Sequence, residues 1–242
     1  MKIVTWNCNG ALRKKCKYLS RYDADIYVIQ ESENPGKLLA KDDEYRLFCA
    51  NSLWIGSNKN KGLGIFAKSN IAIEKLNWNH NFRGRELQWF LPAKINSNFN
   101  IVAVWSHHAD AVAFPYIGQF WLFMQNNKAL FKNSIVCGDF NSNSIWDTWD
   151  RWWNHSDCVK ELAEINLFSV YHQITGLKHG SEEKKTFYLQ RNLEKGYHID
   201  YIFADADLIK NRTTCLECGD FSEWKDKSDH VPILWEFKEF EN

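Results

Sequence analysis

Three things are scarce in this chain. Four prolines and 12 glycines among 242 residues leave no stretch that reads as a linker, and composition shows no seam, so one domain over residues 1–242 is expected. No apolar run approaches the roughly 20 residues of a membrane-spanning helix. The opening MKIVTWNCNG has neither the basic start nor the apolar stretch of a secretory leader. An excess of either charge is also missing. Lys plus Arg and Asp plus Glu stand at 30 each, so there is no global pull on a polyanion, and any nucleic-acid binding has to come from a local basic face. A disulfide framework is excluded for a different reason: seven cysteines, an odd number scattered from Cys8 to Cys218, do not staple a chain of this size. A reducing compartment, the cytoplasm, is the expectation. The CLEC stretch, Cys215 to Cys218, is a single CxxC without a second pair or spaced histidines, and reads as part of a strand rather than a zinc or redox site.

What is present is a series of short apolar runs. KIVTW, DIYVIQE, YRLFCA, LWIGS, GLGIFAK, IAIEKL, SIVCG, LFSVYH, TFYLQ, HIDYIFA, TTCLE and VPILWEF read as strands, and ELQWFLPAKI with FNIVAVWSH as an antiparallel pair across NSN. ALRKKCKYLSRY, with Leu12, Cys16 and Leu19 on one face, reads as an amphipathic helix, as do FPYIGQFWLFMQNNKALF and DCVKELAEIN. Arg13, Lys14, Lys15 and Lys17 then make a solvated face of the first helix. Many strands are apolar on both sides, which points to sheets covered on both faces. Two sheets packed face to face with helices outside satisfy the pattern.

The polar residues have informative addresses. Asn7 and Asn9 follow KIVTW, Glu31 follows DIYVIQ, His107 and His108 follow IVAVWS, and Asp139 and Asn141 follow SIVCG. His198 and Asp200 open HIDYIFA on one face of that strand, and Asp229 and His230 precede VPILWEF. Singly, each is an Asx turn or a solvated cap. Jointly they gather carboxylates, amides and imidazoles at strand ends, where a buried strand tolerates them only if paired, hydrogen-bonded or bound to metal.

TWNCNG, IQE, GDFNS, HIDYIF and SDHVPI, in that order from residue 5 to 233, resemble the motif series of the endonuclease/exonuclease/phosphatase superfamily. That superfamily includes exonuclease III-type AP endonucleases, pancreatic deoxyribonuclease, deadenylases, neutral sphingomyelinases and inositol polyphosphate 5-phosphatases. The resemblance implies a four-layer αββα sandwich, two mixed sheets flanked by helices, and hydrolysis of phosphoesters with Mg²⁺, for which Mn²⁺ can substitute. Mg²⁺ prefers one or two carboxylates with water and substrate oxygens. On this footing Glu31 is the main metal ligand, Asn7 contacts metal or phosphate, and Asp229 contributes. Asp139 aligns and deprotonates the attacking water, and Asn141 donates to a phosphate oxygen. His230 binds phosphate in the transition state, and Asp200 orients it or its neighbours. Asn9 is expected to touch substrate.

One departure stands out. Where the exonuclease III-type enzymes resemble one another in a tyrosine, this chain has His107, as in the deoxyribonuclease, sphingomyelinase and 5-phosphatase branches. His107 is expected as leaving-group acid or phosphate ligand, with His108 as the fallback, and the abasic-site reading weakens. Glu86 is a candidate to orient His107 if the strand opening at Arg85 lies beside it. Arg191 either pairs with phosphate or lies in solvent. Trp146, Trp149 and Trp153 fall on one helical face after GDFNS and read as core, whereas Trp152, off that stripe, suits the rim of the site.

The functional expectation is a monomeric nuclease acting on DNA rather than RNA. A hydrolase of a small phosphorylated molecule, an inositol phosphate or lipid headgroup, is the alternative. A binding module without catalysis has no use for the full set of Asp139, Asn141, Asp200, Asp229 and His230.

Overall fold

A computed structural model describes residues 1–36, 43–108, 113–210 and 215–237. The first sheet contains β1 (Lys2–Asn7), β2 (Ile26–Ser32), β3 (Ser52–Asn58), β4 (Lys61–Ala67), β15 (Cys215–Cys218) and β16 (Ile233–Glu236), in the order β15-β16-β1-β2-β4-β3. The second contains β5 (Ile73–Lys75), β8 (Phe90–Ile95), β9 (Phe99–Trp105), β10 (Ser134–Asp139), β11 (Leu167–Ser169) and β14 (Asp200–Asp205), in the order β11-β14-β10-β9-β8-β5. Each is mixed: β1 runs parallel to β2 and β9 to β10, and the remaining neighbours are antiparallel. Two small hairpins stand apart, β6 (Asn81–Phe82) with β7 (Arg85–Glu86) and β12 (Phe187–Tyr188) with β13 (Gly196–Tyr197).

Strand alternation builds the layers. Ile3, Ile26, Val28, Ile135, Cys137, Ile202, Ile233 and Trp235 face inward and join one core between the sheets. Val4, Tyr27, Ile29 and Leu234 face outward under α1 (Asp43–Cys49), α6 (Phe221–Trp224) and the turns at Leu12–Tyr22. Val102, Val104, Val136 and Phe203 face outward on the other side under α2 (Ile117–Asn127) and α3 (His155–Glu164). The result is the expected αββα sandwich. Two short helices complete it, α4 (Val170–Thr175) and α5 (Ala206–Lys210). Among the described residues no helix is long and apolar enough to cross a membrane.

Local assignments differ from the sequence reading in five places. The stretch after Gly10 is three short 3₁₀ turns rather than an α-helix. Leu12, Cys16 and Leu19 are buried as expected, but Lys15 leaves helical geometry at φ −122° while its Nζ donates to the Cys8 carbonyl at 2.6 Å. YRLFCA belongs to helix α1, not a strand; a short apolar run carries no period that separates the two. LFSVYH is a strand for three residues and then turns into α4. Arg85 and Glu86 lie in the β6–β7 hairpin, exposed, and not in a sheet strand beside β9. The Trp-rich stretch after the GDFNS loop is a 3₁₀ turn over Ser144–Trp146 followed by irregular chain, so its helical spacing is not a core stripe: Trp153 packs against the core as expected, whereas Trp146 and Trp149 are exposed. Trp149 is 97 % exposed. Asn154 caps α3 and accepts from the Thr148 N–H at 2.9 Å, and Asp147 accepts from the N–H of His155 at 3.0 Å, which starts the helix only after the tryptophans. Of TTCLE, the first two residues lie outside the described residues, and the rest is β15 as expected.

Candidate active site

The inward-facing parity that makes the central core also makes the site. Continuing the apolar inward positions of β1, β2, β10 and β14 to the same end of the sandwich reaches Asn7, Gln30, Asp139 and Asp200. The core therefore changes from aliphatic to polar at one rim. At the end of β2 a bulge after Gln30, with Glu31 at φ 57°, turns the Glu31 side chain toward that rim. In β10, Gly138 has φ +148°, and a Cβ there would overlap the Val104 carbonyl oxygen of β9. Only glycine lets the strand approach that closely just before Asp139.

The geometry is compact. Asn7 Nδ2 donates to Asp139 Oδ2 at 3.0 Å and lies 3.5 Å from Glu31 Oε1. Its Oδ1 accepts from the Asn9 N–H at 3.0 Å, which fixes the amide with its NH₂ toward the carboxylates. Asp139 Oδ1 accepts from the Asn141 N–H at 2.8 Å, with Asn141 at φ 49°. His230 Nδ1 pairs with Asp200 Oδ2 at 2.9 Å, and its Nε2 stands 4.0 Å from Asp139 Oδ2. Asn9 Nδ2 donates to Asp229 Oδ1 at 3.1 Å. Ser228 ties the two chain ends of the site together: its hydroxyl donates to the Asn7 carbonyl at 2.7 Å and accepts from the His230 N–H at 3.0 Å.

Electrostatics divides the roles. Burial pushes the Asp139 carboxyl up, with the His230 charge opposing and Asp200 reinforcing the shift. For His230 burial would lower the value, but the Asp200 and Asp139 charges outweigh it and hold the imidazolium form above its ordinary range. The rim thus presents a carboxylate of raised basicity beside a buried cation.

The donor set suits a hard divalent cation. Glu31, Asp139, Asp200 and Asp229 offer oxygens, and Asp200 Oδ1 is buried without a hydrogen-bond partner among the described residues. Ligand atoms of Asp139, Asp200 and His230 all lie within 4.8 Å of one another. Because His230 is committed to Asp200, the Glu31 side, where Lys61 Nζ now pairs with Oε2 at 2.5 Å, is the more suitable place for a metal.

A second cluster has ligand atoms equally close, His172, His179 and Glu182. The His172 and His179 rings stack at 3.6 Å and 17°, so their in-plane lone pairs run side by side instead of meeting at one point. Glu182 accepts from His172 Nε2 at 3.1 Å, from Asn143 Nδ2 at 3.1 Å and from the Gly180 N–H at 3.0 Å. This is a hydrogen-bonded brace under the loop that follows Asp139, not a metal cage.

The remaining expected residues make other contacts. The His107 ring lies 4.7 Å from Trp105 and 5.4 Å from Trp89, and the next-door Ser106 N–H donates to the Asp139 carbonyl at 2.8 Å. His108 is exposed, edge-on to Tyr116 at 6.0 Å. Arg191 is exposed at φ 54°, three residues after Tyr188, whose N–H donates to the Asp229 carbonyl at 2.7 Å. Trp152 is 62 % exposed, with Phe114 at 6.3 Å. Glu86 is exposed in its hairpin, where it borders a cavity of about 580 Å³ together with Trp89 and Asn34.

Sequence reasoning passed over Lys61 and Phe187, read Lys15 as part of a solvated face, and placed Thr186 in a loop leading to Asp200 beside the substrate. Lys61 pairs with Glu31, Lys15 reaches the carbonyls of Cys8 and Asn9, and the Phe187 ring packs 4.7 Å from His230. Thr186, fully buried, accepts from the N–H groups of Ile199 and Asp200 at 3.0 and 3.1 Å and so positions Asp200 from behind. Asn143 carried a visible signal, the second amide in NSNS directly after the loop.

Buried carboxylate, imidazolium, amide donors and oxygen ligands on one rim are what attack of water on a phosphoester requires. Fold and site together define a hydrolytic phosphoesterase. Residues 4–230 match the Endonuclease/Exonuclease/phosphatase family, and the chain belongs to it. No curated protein matches the sequence. Among solved structures it is similar to a 3'-5' exonuclease (NExo) from Neisseria meningitidis, with 19% identity, 98% of this chain and 100% of that one covered, and a TM-score of 0.65. A structure of the 3' phosphatase NExo from Neisseria bound to product DNA hairpin gives 19%, 98%, 99% and 0.65. An AP endonuclease from Archaeoglobus fulgidus gives 19%, 98%, 99% and 0.67. At that identity the likeness speaks for the fold.

Proposed function

We propose that this protein is a divalent-metal-dependent phosphodiesterase that cleaves nucleic acid, DNA in preference to RNA. The observation that carries the reading is the meeting of Asn7, Glu31, Asp139, Asp200 and His230, drawn from across the chain, at one end of the inter-sheet core. Support for DNA comes from the similar Neisseria enzyme, whose structure holds a product DNA hairpin. Seven cysteine thiols, four of them buried, agree with a reducing compartment such as the cytoplasm.

Glu31 and Asp229 would hold Mg²⁺, or Mn²⁺ in its place, which would supply neutralisation of the phosphate and of the leaving oxygen. The chain's own groups do the rest. Asp139, with its raised basicity, takes a proton from the attacking water while Asn7 and the Asn141 N–H keep its oxygens oriented. His230, held cationic by Asp200, binds the phosphate oxygens as charge builds in the transition state. Asn141 turns its amide donor to the phosphate, Asn7 contacts metal or phosphate beside Glu31, His107 serves the leaving group, and Asn9, His108, Arg191 and Trp152 contact the rest of the substrate.

A panel of supercoiled plasmid, linear duplex, single strand, abasic duplex, RNA and inositol phosphates, each with Mg²⁺ and with chelator, tests the reading. Metal-dependent cleavage of DNA is the expected result. Turnover confined to inositol phosphates would replace the nuclease reading by the small-substrate one, and turnover undiminished by chelator would remove the metal.

A further inference from the structure

We propose that the loop 144–154 is a stacking platform for unpaired nucleobases flanking the scissile phosphate, an inference that rests on the nuclease reading. The loop begins three residues after Asn141 and shows three indoles to solvent: Trp146 is 42 %, Trp149 97 % and Trp152 62 % exposed. An exposed tryptophan on a mobile loop would say little, but this loop is held rigid. Arg151 Nη2 donates to the Trp146 carbonyl at 2.9 Å, and its Nε to Asn154 Oδ1 at 2.6 Å. Asn154 Nδ2 donates to the carbonyls of Thr148 at 3.0 Å and Arg151 at 2.9 Å. Asp147 is fastened to the first turn of α3, and at the other end Asn143 is clamped to Glu182. The backbone that carries three exposed indoles is thus fixed by the bonds that also start α3, and a fixed backbone lowers the ordering cost of binding a flat partner.

The platform is continuous with the catalytic rim. Phe187 packs 4.7 Å from the His230 ring, Tyr197 stacks on Phe187 at 6.5 Å and 27°, and Trp146 lies 5.1 Å from Tyr197. A row of rings therefore leads from the phosphate-binding imidazole out to the first exposed indole. Substrate running along that row places its bases beside aromatic faces, which accept any base. Both faces of an internal base in a duplex are already stacked, so the occupant is single-stranded, frayed or terminal nucleic acid. A lipid surface fits less well: exposed Asp150 sits between Trp149 and Arg151 and would have to enter the interface with the ring, whereas stacking leaves it in water.

The test compares Trp149→Ala, Trp149→Phe and Trp152→Ala on oligo(dT), on a blunt duplex and on bis(p-nitrophenyl) phosphate, which reports the chemistry without reaching the loop. Trp149→Ala is expected to raise KM for oligo(dT) roughly tenfold with little change in kcat, to leave the small diester unchanged, and to be largely rescued by Phe. Equal losses on oligo(dT) and the small diester would overturn the proposal in favour of a structural role, and an unchanged KM for oligo(dT) would overturn it outright. So would Trp149-dependent binding to phosphatidylcholine/phosphatidylserine vesicles without an effect on oligo(dT), or a dimer abolished by Trp149→Ala. If wild type turns over the small diester and no nucleic acid, the nuclease reading falls and the platform with it; if it cleaves oligo(dT) with a KM indifferent to Trp149, the platform alone falls.

Discussion

Replacing Glu182 by glutamine isolates the brace beneath the catalytic loop. Glu182 is 4 % exposed and accepts from His172, Asn143 and the Gly180 N–H. Burial by itself would raise its carboxyl, but those hydrogen bonds hold it well below the usual carboxylate range. The folded protein therefore needs the anion. An amide oxygen in place of Oε1 keeps the His172, Asn143 and Gly180 donors only as a neutral acceptor, and the NH₂ in place of Oε2 meets Asn143 Nδ2, a donor that cannot accept. Each stranded buried donor costs roughly 1–3 kcal/mol, so Glu182→Gln is expected to lose about 3 kcal/mol. For a chain of this size that is a fall in Tm of about 6–12 °C. Asn143 Nδ2 keeps its bonds to the His198 carbonyl at 2.9 Å and Tyr201 Oη at 3.1 Å, so the loop loosens without detaching. A loss in kcat of about tenfold follows from imperfect placement of Asp139 and Asn141. Urea unfolding followed by tryptophan fluorescence, with turnover of a small phosphodiester below the transition, reads both. Stability within about 0.5 kcal/mol of wild type would refute the idea that this carboxylate is the centre of the brace.

Gly138→Ala is expected to cost about 3 kcal/mol or more and to reduce the folded yield, because the added methyl meets the Val104 carbonyl and lies 3.0 Å from Gln30 Nε2; an unchanged melting curve would contradict the close approach of β9 and β10. Asp139→Asn should lower turnover by about 10²-fold or more while retaining oligonucleotide affinity, and weaker binding with normal turnover per complex would remove Asp139 as base. Glu31→Gln should shift the Mg²⁺ titration to higher concentration, and an unmoved midpoint would exclude Glu31 as ligand. His155, His179 and His198 are depressed to about 3, about 2 and about 4, chiefly by burial, so they stay neutral when folded and gain protons only on unfolding. Their contribution is complete above the ordinary histidine value near 6.5 and is lost as pH falls. By pH 5 each costs up to about 2 kcal/mol, visible as a steep loss of urea resistance between pH 7 and 5, and a flat profile would sink the assignment.

The strands were legible wherever a run was long and bounded, and the antiparallel turn at Asn96–Asn98 was readable from its composition. The addresses of Asn7, Glu31, Asp139, Asp200 and His230 at strand ends were equally plain, because the order of apolar run and polar stop is a one-dimensional fact. Short segments misled where two periods fit equally well. YRLFCA has room for either a strand or a helix, and the Trp146–Trp153 spacing matched a helix that Asn154 and Asp147 prevent by capping the next one.

The sequence by itself determined the two-sided apolar strands, a pattern that a covered sandwich satisfies, and the chemical types available at its rim. Only tertiary structure decided which of those groups meet. The parity of four strands carries Asn7, Gln30, Asp139 and Asp200 inward together, while a single bulge redirects Glu31. Lys61 on Glu31, Thr186 behind Asp200 and Glu182 under Asn143 have no local signature at all. Hydrogen-bond partners of that kind are set by where separate elements pack, and packing depends on contacts between residues far apart in the chain, which no short window of sequence contains.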